Sequence, residues 1–457
     1  MPKWVKRFVK SNFLLTLQYG CSQHLYVQLN AMIQELTIRN FLSFKDATTF
    51  SFEATDDNTF EDWQVVQIGN TRLLRFSLVY GANASGKSNL LAAFEFLRSF
   101  WFRVQPTKDT PIGVQPFMLD RATPSKPSCF ELVFFVGTEK YKYELELDNK
   151  VVYGERLSYY KTTQPTLLLN RTLDNGVSVV KLHSDLKVSK KILERVNLDC
   201  LPNMSFFGAS DMLIYRQPII GKVQTWMEIN FAPAIKPDIS LFESFEQMLT
   251  DEVELKAYIL DFLRCADTNI TDITTKLHRE TLSDLDKTLI EGSDKFSRYE
   301  KNEILKAGAF ERERSFFAHV VRNGDGKETY SLPSSSLSRG TKQMIGLEVV
   351  IFRALLVQAF LVIDEMETSL HPRLLELVLT HFLQKKSRSQ LLVTTNYDPL
   401  LDEVNDILRK DMVWFTEKGE DGATELYSLA DFKRLNTARS LCKHYRNGRF
   451  GAVPNIG

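Results

Sequence analysis

The sequence predicts an α/β fold, with a mixed, mostly parallel sheet flanked by helices, an antiparallel β lobe and a helical insertion. Three observations carry this. A glycine-rich loop, Gly81 to Ser88, joins a strand to a helix. An apolar strand, Phe360 to Ile363, ends in Asp364-Glu365. Between them, aromatic and β-branched segments of period two give way to a long stretch with helical spacing. Short apolar strands alternating with helices imply buried parallel strands.

The loop Gly81-Ala82-Asn83-Ala84-Ser85-Gly86-Lys87-Ser88 fits the phosphate-binding pattern G-x-x-x-x-G-K-[ST]. Its glycines let backbone N–H groups wrap phosphate oxygens, which a side chain at Gly81 or Gly86 would obstruct. Lys87 supplies a point charge for the β- and γ-phosphates, and Ser88 a hydroxyl for magnesium. Leu73 to Tyr80 reads as the entering strand. The following helix, from Asn89 to Phe100, carries Leu90, Ala93, Phe94 and Leu97 on one face and aims its N-terminus at the loop.

Ile33 to Phe44 is expected to form a first strand, with Thr49 to Phe52 as its partner. The proline-rich stretch from Pro106 to Pro127 reads as a loop around a strand or turn at Val114–Phe117. Phe130–Val136, Tyr141–Leu147 and Glu155–Tyr160 form an antiparallel meander. Residues 185–310 read as a helical insertion, including helices at Leu241–Leu249 and Glu252–Cys265, with a solvated charged face. Asn323-Gly324-Asp325-Gly326 is a hairpin turn between Ser315–Arg322 and Lys327–Leu332. A helix with Met344, Leu347, Ile351 and Leu355 on one face then leads to Phe360. Another starts at Pro372, and Gln390 to Thr395 is a further buried strand. The domains are therefore an N-terminal extension (1–31), the first part of a head with the β lobe (32–184), the insertion (185–310) and the second part of the head (311–457).

Lys+Arg and Asp+Glu both number 57, so bulk charge does not drive nucleic-acid coating, although a local basic patch is compatible with zero net charge. The five cysteines are scattered, as in a reducing, cytoplasmic compartment, and offer neither a disulfide framework nor a zinc site. No apolar run reaches the ~18 residues of a membrane helix. Lys3, Lys6, Arg7 and Lys10 resemble a basic leader without a cleavage site, and Met32, directly before a strand pattern, is the expected natural start.

Asp364, at a strand end, is placed for the magnesium shell, and Glu365 to orient or deprotonate an attacking water. Ser338 and Gly340, followed by Thr341, begin a helix and offer a hydroxyl, an amide and a dipole to a second phosphate. One chain cannot easily present both ends to one nucleotide, so a dimer with shared sites is expected.

The order of phosphate loop, Leu337-Ser338-Arg339-Gly340, Asp364-Glu365 and Ser369-Leu370-His371-Pro372 resembles the ABC-type P-loop ATPase heads of the SMC/RecF group, as does the opening from Met32 to Phe41. Pro116–Leu119, Trp414–Lys418 with Glu425–Leu429, and the tail Gly448–Pro454 are similar to the RloA/AbiLii-type ATPases of restriction loci and phage abortive infection. The resemblance covers about residues 32–170 and 315–457. It implies an ABC-type head that binds ATP and magnesium and dimerises on two nucleotides, with Ser369-Leu370-His371 crossing between subunits. It also implies a magnesium-binding glutamine, for which Gln115 and Gln105 compete. Where the family has histidine after Thr394-Thr395, this chain has Asn396, and Leu42 stands where a basic residue is common. Asn396 donates a hydrogen bond but no charge, so slow hydrolysis and a long-lived ATP-bound dimer are expected. The implied role is a sensor or scaffold for a nuclease (including toprim-type) or toxin effector encoded nearby. A DNA-repair or recombination ATPase that binds DNA is the alternative, and the energy subunit of a transporter fits least.

Overall fold

The computed structural model describes residues 30–209, 218–282, 284–292, 298–324, 326–433, 435 and 440–454. The extension proposed upstream of Met32 lies outside them apart from residues 30 and 31. The described residues form two compact units. The smaller comprises Ser240–Phe352 and Ser369–Leu377; the larger comprises residues 30–239, Arg353–Thr368 and residues 378–454.

In the larger unit, β1 (Met32–Arg39) pairs antiparallel with β2 (Thr48–Ser51). The expected strand to Phe44 ends at Arg39 because Asn40 and Leu42 adopt positive φ (52° and 51°), and Phe41 and Phe44 exchange backbone hydrogen bonds of 2.9 and 2.8 Å. β3 (Val65–Ile68) and β4 (Thr71–Leu74) form a separate hairpin. The expected strand from Leu73 to Tyr80 is broken at Arg75, whose N–H donates to Gln64 O (3.0 Å), and resumes as β5 (Phe76–Gly81). The meander is β6 (Ser128–Val136), β7 (Glu139–Leu147) and β8 (Val152–Tyr160). It continues through β9 (Pro165–Asp174) and β10 (Val177–Leu182), giving an antiparallel sheet of order β10-β9-β8-β7-β6-β1-β2. The β9–β10 turn, Asn175-Gly176 with φ of 48° and 77°, is an Asn-Gly hairpin signal that the sequence reading passed over. Val114–Phe117 forms no strand: Asn40 Oδ1 accepts from Phe117 N (3.0 Å), holding the segment to the β1 end instead.

The smaller unit shows that residues 185–310 are not helical throughout. β11 (Ile270–Thr281) pairs antiparallel with β12 (Ala309–Asn323), and β12 with β13 (Gly326–Pro333). The β-branched run Ile270, Thr271, Ile273, Thr274 and Thr275 favours a pleated strand over a helix. Two helices, Asp284–Gly292 and Arg298–Ala307, occupy the chain between β11 and β12. The expected Leu241–Leu249 helix divides into Leu241–Phe245 and Met248–Asp251, followed by Val253–Cys265. The helix Arg339–Val357 approaches Leu241 so closely at Gly346 that an added Cβ would lie 2.7 Å from Leu241 Cβ.

The central sheet of the larger unit has the order β14-β15-β5-β16-β17, with β14 (Phe360–Ile363), β15 (Gln390–Thr394), β16 (Val413–Lys418) and β17 (Thr424–Ser428). Neighbours from β14 to β16 are parallel, and β17 is antiparallel to β16. All β14 and β15 residues are buried, as parallel strands require. The two sheets are tied by the Gln390 side chain, which accepts from Ile33 N (2.6 Å) and donates to Ile33 O (2.9 Å) and Leu74 O (3.1 Å). Buried Phe50, Phe52, Phe94 and Phe360 pack edge-on or tilted between them, with ring centroids 5.0 to 6.2 Å apart.

Candidate functional site

The glycine-rich loop follows β5 and leads into the helix Lys87–Trp101. β5 lies between β15 and β16, so the loop emerges at the carboxyl ends of parallel strands, where open α/β sheets place ligands. Gly86 has φ 114°, and a Cβ there would sit 2.2 Å from Thr424 Oγ1. At Gly81 a Cβ would sit 2.3 Å from Thr416 Oγ1 and 2.4 Å from Ser85 Oγ. Both glycines are thus demanded by the wall behind the loop, and Gly86 also by its backbone conformation.

That wall is built from residues the motif does not name. Ser85 Oγ and Thr416 Oγ1 share a hydrogen bond of 2.6 Å, and Thr416 also donates to Tyr80 O (3.2 Å). Thr424 Oγ1 lies 2.8 Å from Ser85 O and 2.7 Å from Ser43 Oγ, and Asn89 Nδ2 donates to the same Ser43 oxygen (2.7 Å). The β1–β2 turn, the loop and β17 are therefore locked together. Thr416 and Thr424 stand in strands that also carry Glu417, Lys418, Glu425 and Ser428, so nothing in the sequence singles them out for this role.

Lys87 is buried and donates to Gly81 O (2.7 Å) and Ala82 O (3.2 Å). Burial lowers its pKa, against the opposing fields of Asp364, Glu365 and Glu367. Lysine and the three carboxylates thus form one electrostatic group at the ends of β5 and β14. The end of β15 and the two residues after it hold the Asp364 and Glu367 carboxylates and the Glu365 backbone. The Thr394 hydroxyl donates to Asp364 Oδ1 and accepts from Glu365 N (2.9 Å). The Thr395 hydroxyl donates to Glu367 Oε2 (2.7 Å), whose other oxygen accepts from Asn396 N (2.7 Å). Glu365 itself has φ 48°, a left-handed residue in the turn leaving β14. The sequence reading missed Glu367, although Asp-Glu-x-Glu carries it in plain view.

A strap, Phe231 to Ile235, pairs with the outer edge of β14: Ala232 N donates to Phe360 O, Ile235 N to Val362 O and Asp364 N to Ile235 O, all at 2.9 Å. It also grips the loop helix, since Glu95 Oε2 accepts from Ala234 N (2.9 Å) and Arg98 Nε donates to Phe231 O (3.0 Å). Pro233 hides this strand from pattern reading.

Ser88 and Asn396 are exposed, and Ala82 and Asn89 half-buried; Asn83 and Ala84 are exposed at the loop tip. Gln115 lines a cleft of about 280 Å³ together with Leu42, Ser43, Asn89 and Lys418. Gln105 is buried, its N–H 3.4 Å from Met204 Sδ. Ser338, Gly340, Thr341 and Ser369 lie together in the smaller unit. Ser338 Oγ caps its helix by accepting from Thr341 N (3.1 Å), and a Cβ on Gly340 would stand 3.0 Å from Ser369 O. The tail packs inward: Phe450 stacks on Phe415 (5.7 Å), its carbonyl accepts from Tyr427 OH (2.7 Å), and Arg446 pairs with Asp398 (2.6 Å) in the loop after β15.

The family described as AAA domain, putative AbiEii toxin, Type IV TA system (AAA_21) matches residues 76–175 and 265–396, just over half the chain and spanning both the glycine-rich loop and Asp364-Glu365. The chain belongs to this family of P-loop ATPases. No curated protein matches the sequence. Among solved structures, the chain is similar to the SMC head domain from Thermotoga maritima at 13% identity and a TM-score of 0.38, covering 87% of this chain and 98% of that one. A Smc head with an extended coiled coil, bound to the C-terminal domain of ScpA from Pyrococcus furiosus, is also 13% identical, with a TM-score of 0.37 and 92% and 99% coverage. No helix among the described residues is long and apolar enough to cross a membrane.

Gly86→Ala of this ATPase tests the close packing behind the loop. The added methyl meets Thr424 at a φ that alanine avoids. Titration with a fluorescent ATP analogue is expected to show binding weakened by about 100-fold, or about 2.8 kcal/mol. Gly176→Ala, also at positive φ but with open space around it, should cost about 1 kcal/mol of stability and leave binding unchanged.

Proposed function

We propose that the chain is a cytoplasmic ABC-type ATPase that binds ATP with magnesium, closes into a homodimer or higher homo-oligomer around the nucleotides and hydrolyses them slowly. In this reading it is of the RloA/AbiLii type, a sensor or scaffold that holds or releases a nuclease or toxin encoded nearby, in defence against phage. The observation that carries the reading is the group formed by Lys87, Asp364, Glu365 and Glu367 beside a glycine-rich loop with no room for a Cβ at Gly81 or Gly86. The family's description as a putative toxin of a toxin–antitoxin system supports a defence role.

Residue roles follow from donor chemistry. Loop amides and Lys87 bind phosphate oxygens. Ser88, Asp364 and Gln115 offer oxygen ligands suited to magnesium, which when bound neutralises phosphate charge. Glu365, its N–H held by Thr394, orients the attacking water and accepts its proton. Ser338, Gly340, Thr341 and Ser369 supply a second phosphate-binding end to the nucleotide of another subunit. Asn396 takes the place of a charged group near the γ-phosphate, and the reaction is slow for that reason.

Two measurements test this. Turnover should fall below the ~10 s⁻¹ typical of enzymes, and Asn396→His should raise kcat by about 10-fold or more; a wild-type kcat at or above that value would refute the slow switch. Native-tag purification with ATP should co-elute the effector. Hydrolysis stimulated by DNA, with binding that falls steeply with salt and no co-eluting protein, would replace the defence role with DNA repair.

A further inference from the structure

A second cleft in the larger unit, of about 400 Å³, has an electrostatic character that the ATPase reading leaves unexplained. Its lining includes Arg75, Lys386, Arg388 and Trp63, with Asp62 as the one carboxylate among the described residues. Arg75 is 1% exposed. Its guanidinium donates only to neutral carbonyls, Trp63 O (2.9 Å), Leu383 O (3.0 Å) and Phe382 O (3.4 Å), and sits over the Phe382 ring. Its Nε is buried without a hydrogen-bond partner among the described residues. Arg388 likewise donates to two carbonyls, Asn30 O (3.1 Å) and Gly137 O (3.0 Å). Burial alone lowers the pKa of both, Arg75 to about 10, with no carboxylate raising either.

A desolvated cation normally acquires an anionic partner, because the interior does not replace its hydration. Here two guanidiniums lack one among the described residues and line the same cleft, with the exposed ammonium of Lys386 beside them. Guanidinium forks match phosphate geometry, and the half-buried Trp63 adds a face on which a base can stack. We propose that this cleft is a second phosphate site, which binds a nucleoside phosphate through Lys386 and Arg388 with its base against Trp63, the buried charge of Arg75 standing behind them. The ligand is a free nucleotide or one unit of a single strand; the chemistry is common to both.

The test uses the full chain carrying Lys87→Ala, which disables the ATP site and leaves this cleft untouched. A labelled oligothymidylate is titrated by fluorescence anisotropy, and UMP and inorganic phosphate are used as competitors and as direct ligands by calorimetry. Binding of UMP with no gain for the oligonucleotide identifies a free nucleotide; binding tightened by the oligonucleotide identifies a strand. Either should weaken at least about 10-fold with Lys386→Glu and with Trp63→Leu, while Lys386→Glu in the otherwise wild-type chain leaves ATP hydrolysis unchanged. Lys386 is exposed, so its reversal does not threaten folding, and Lys386→Arg should restore affinity. The proposal is overturned if none of the three probes binds the Lys87→Ala chain, or if binding survives both Lys386→Glu and Trp63→Leu.

Discussion

Glu365→Gln is expected to leave ATP binding intact, slow hydrolysis by about 10²–10⁴-fold and accumulate an ATP-bound dimer. Glu365 is positioned through its backbone, by the Thr394 hydroxyl at 2.9 Å and a turn at φ 48°, so an isosteric amide keeps the fold and loses only the proton acceptor. Phosphate release and mass photometry with and without ATP read the two effects. Unchanged hydrolysis would remove Glu365 from catalysis. Slow hydrolysis without an ATP-dependent dimer would leave the base in place and remove the shared site.

Arg171→Met should cost about 3–5 kcal/mol of stability, the largest structural effect expected in the β lobe. Glu155 and Arg171 are both fully buried and paired at 3.3 Å. Glu155 also accepts from Tyr143 OH (2.9 Å), Ser205 Oγ (2.7 Å) and Phe206 N (2.8 Å), while Arg171 donates to Ser178 Oγ, Leu201 O and Pro202 O. The network crosses β7, β8, β9 and β10 and fastens the chain that follows them. Burial and the nearby Glu155 hold the Tyr143 phenol well above its usual pKa, so it remains a donor. Without Arg171, Glu155 is left buried and uncompensated. Urea unfolding followed by tryptophan fluorescence checks this, and a loss below about 1 kcal/mol would mean that water reaches the carboxylate. Replacing both residues by apolar ones of similar volume should recover much of the loss.

Much of the central sheet was legible because its signals are local. An apolar run of four or five residues bounded by special residues reads as a buried strand wherever it lies, and β14 and β15 appear where expected. The proline at Pro372 starts its helix for an equally local reason. What was missed depends on partners distant in sequence. Arg75 interrupts a strand because Gln64 accepts its N–H, and the Phe231–Ile235 strap is a strand only because β14 offers an open edge. The insertion was read from charge and leucine spacing, while the β-branched run of β11 pointed to the ladder with β12.

The glycine-rich loop, Lys87 and Asp364-Glu365 are legible in the sequence alone, because the phosphate contact proposed for them restricts which residues can serve. Tertiary structure decided what stands behind them. Thr416, Thr424 and Ser43 are ordinary in sequence and become a wall only when β16, β17 and the β1–β2 turn close on the loop. Glu367 acquires its partners, Thr395 and Asn396, only through the parallel pairing of β14 with β15. The physical reason is the same in each case: a motif fixes the atoms that face the ligand, whereas the atoms that hold them in place come from whatever strand the fold brings within hydrogen-bond distance.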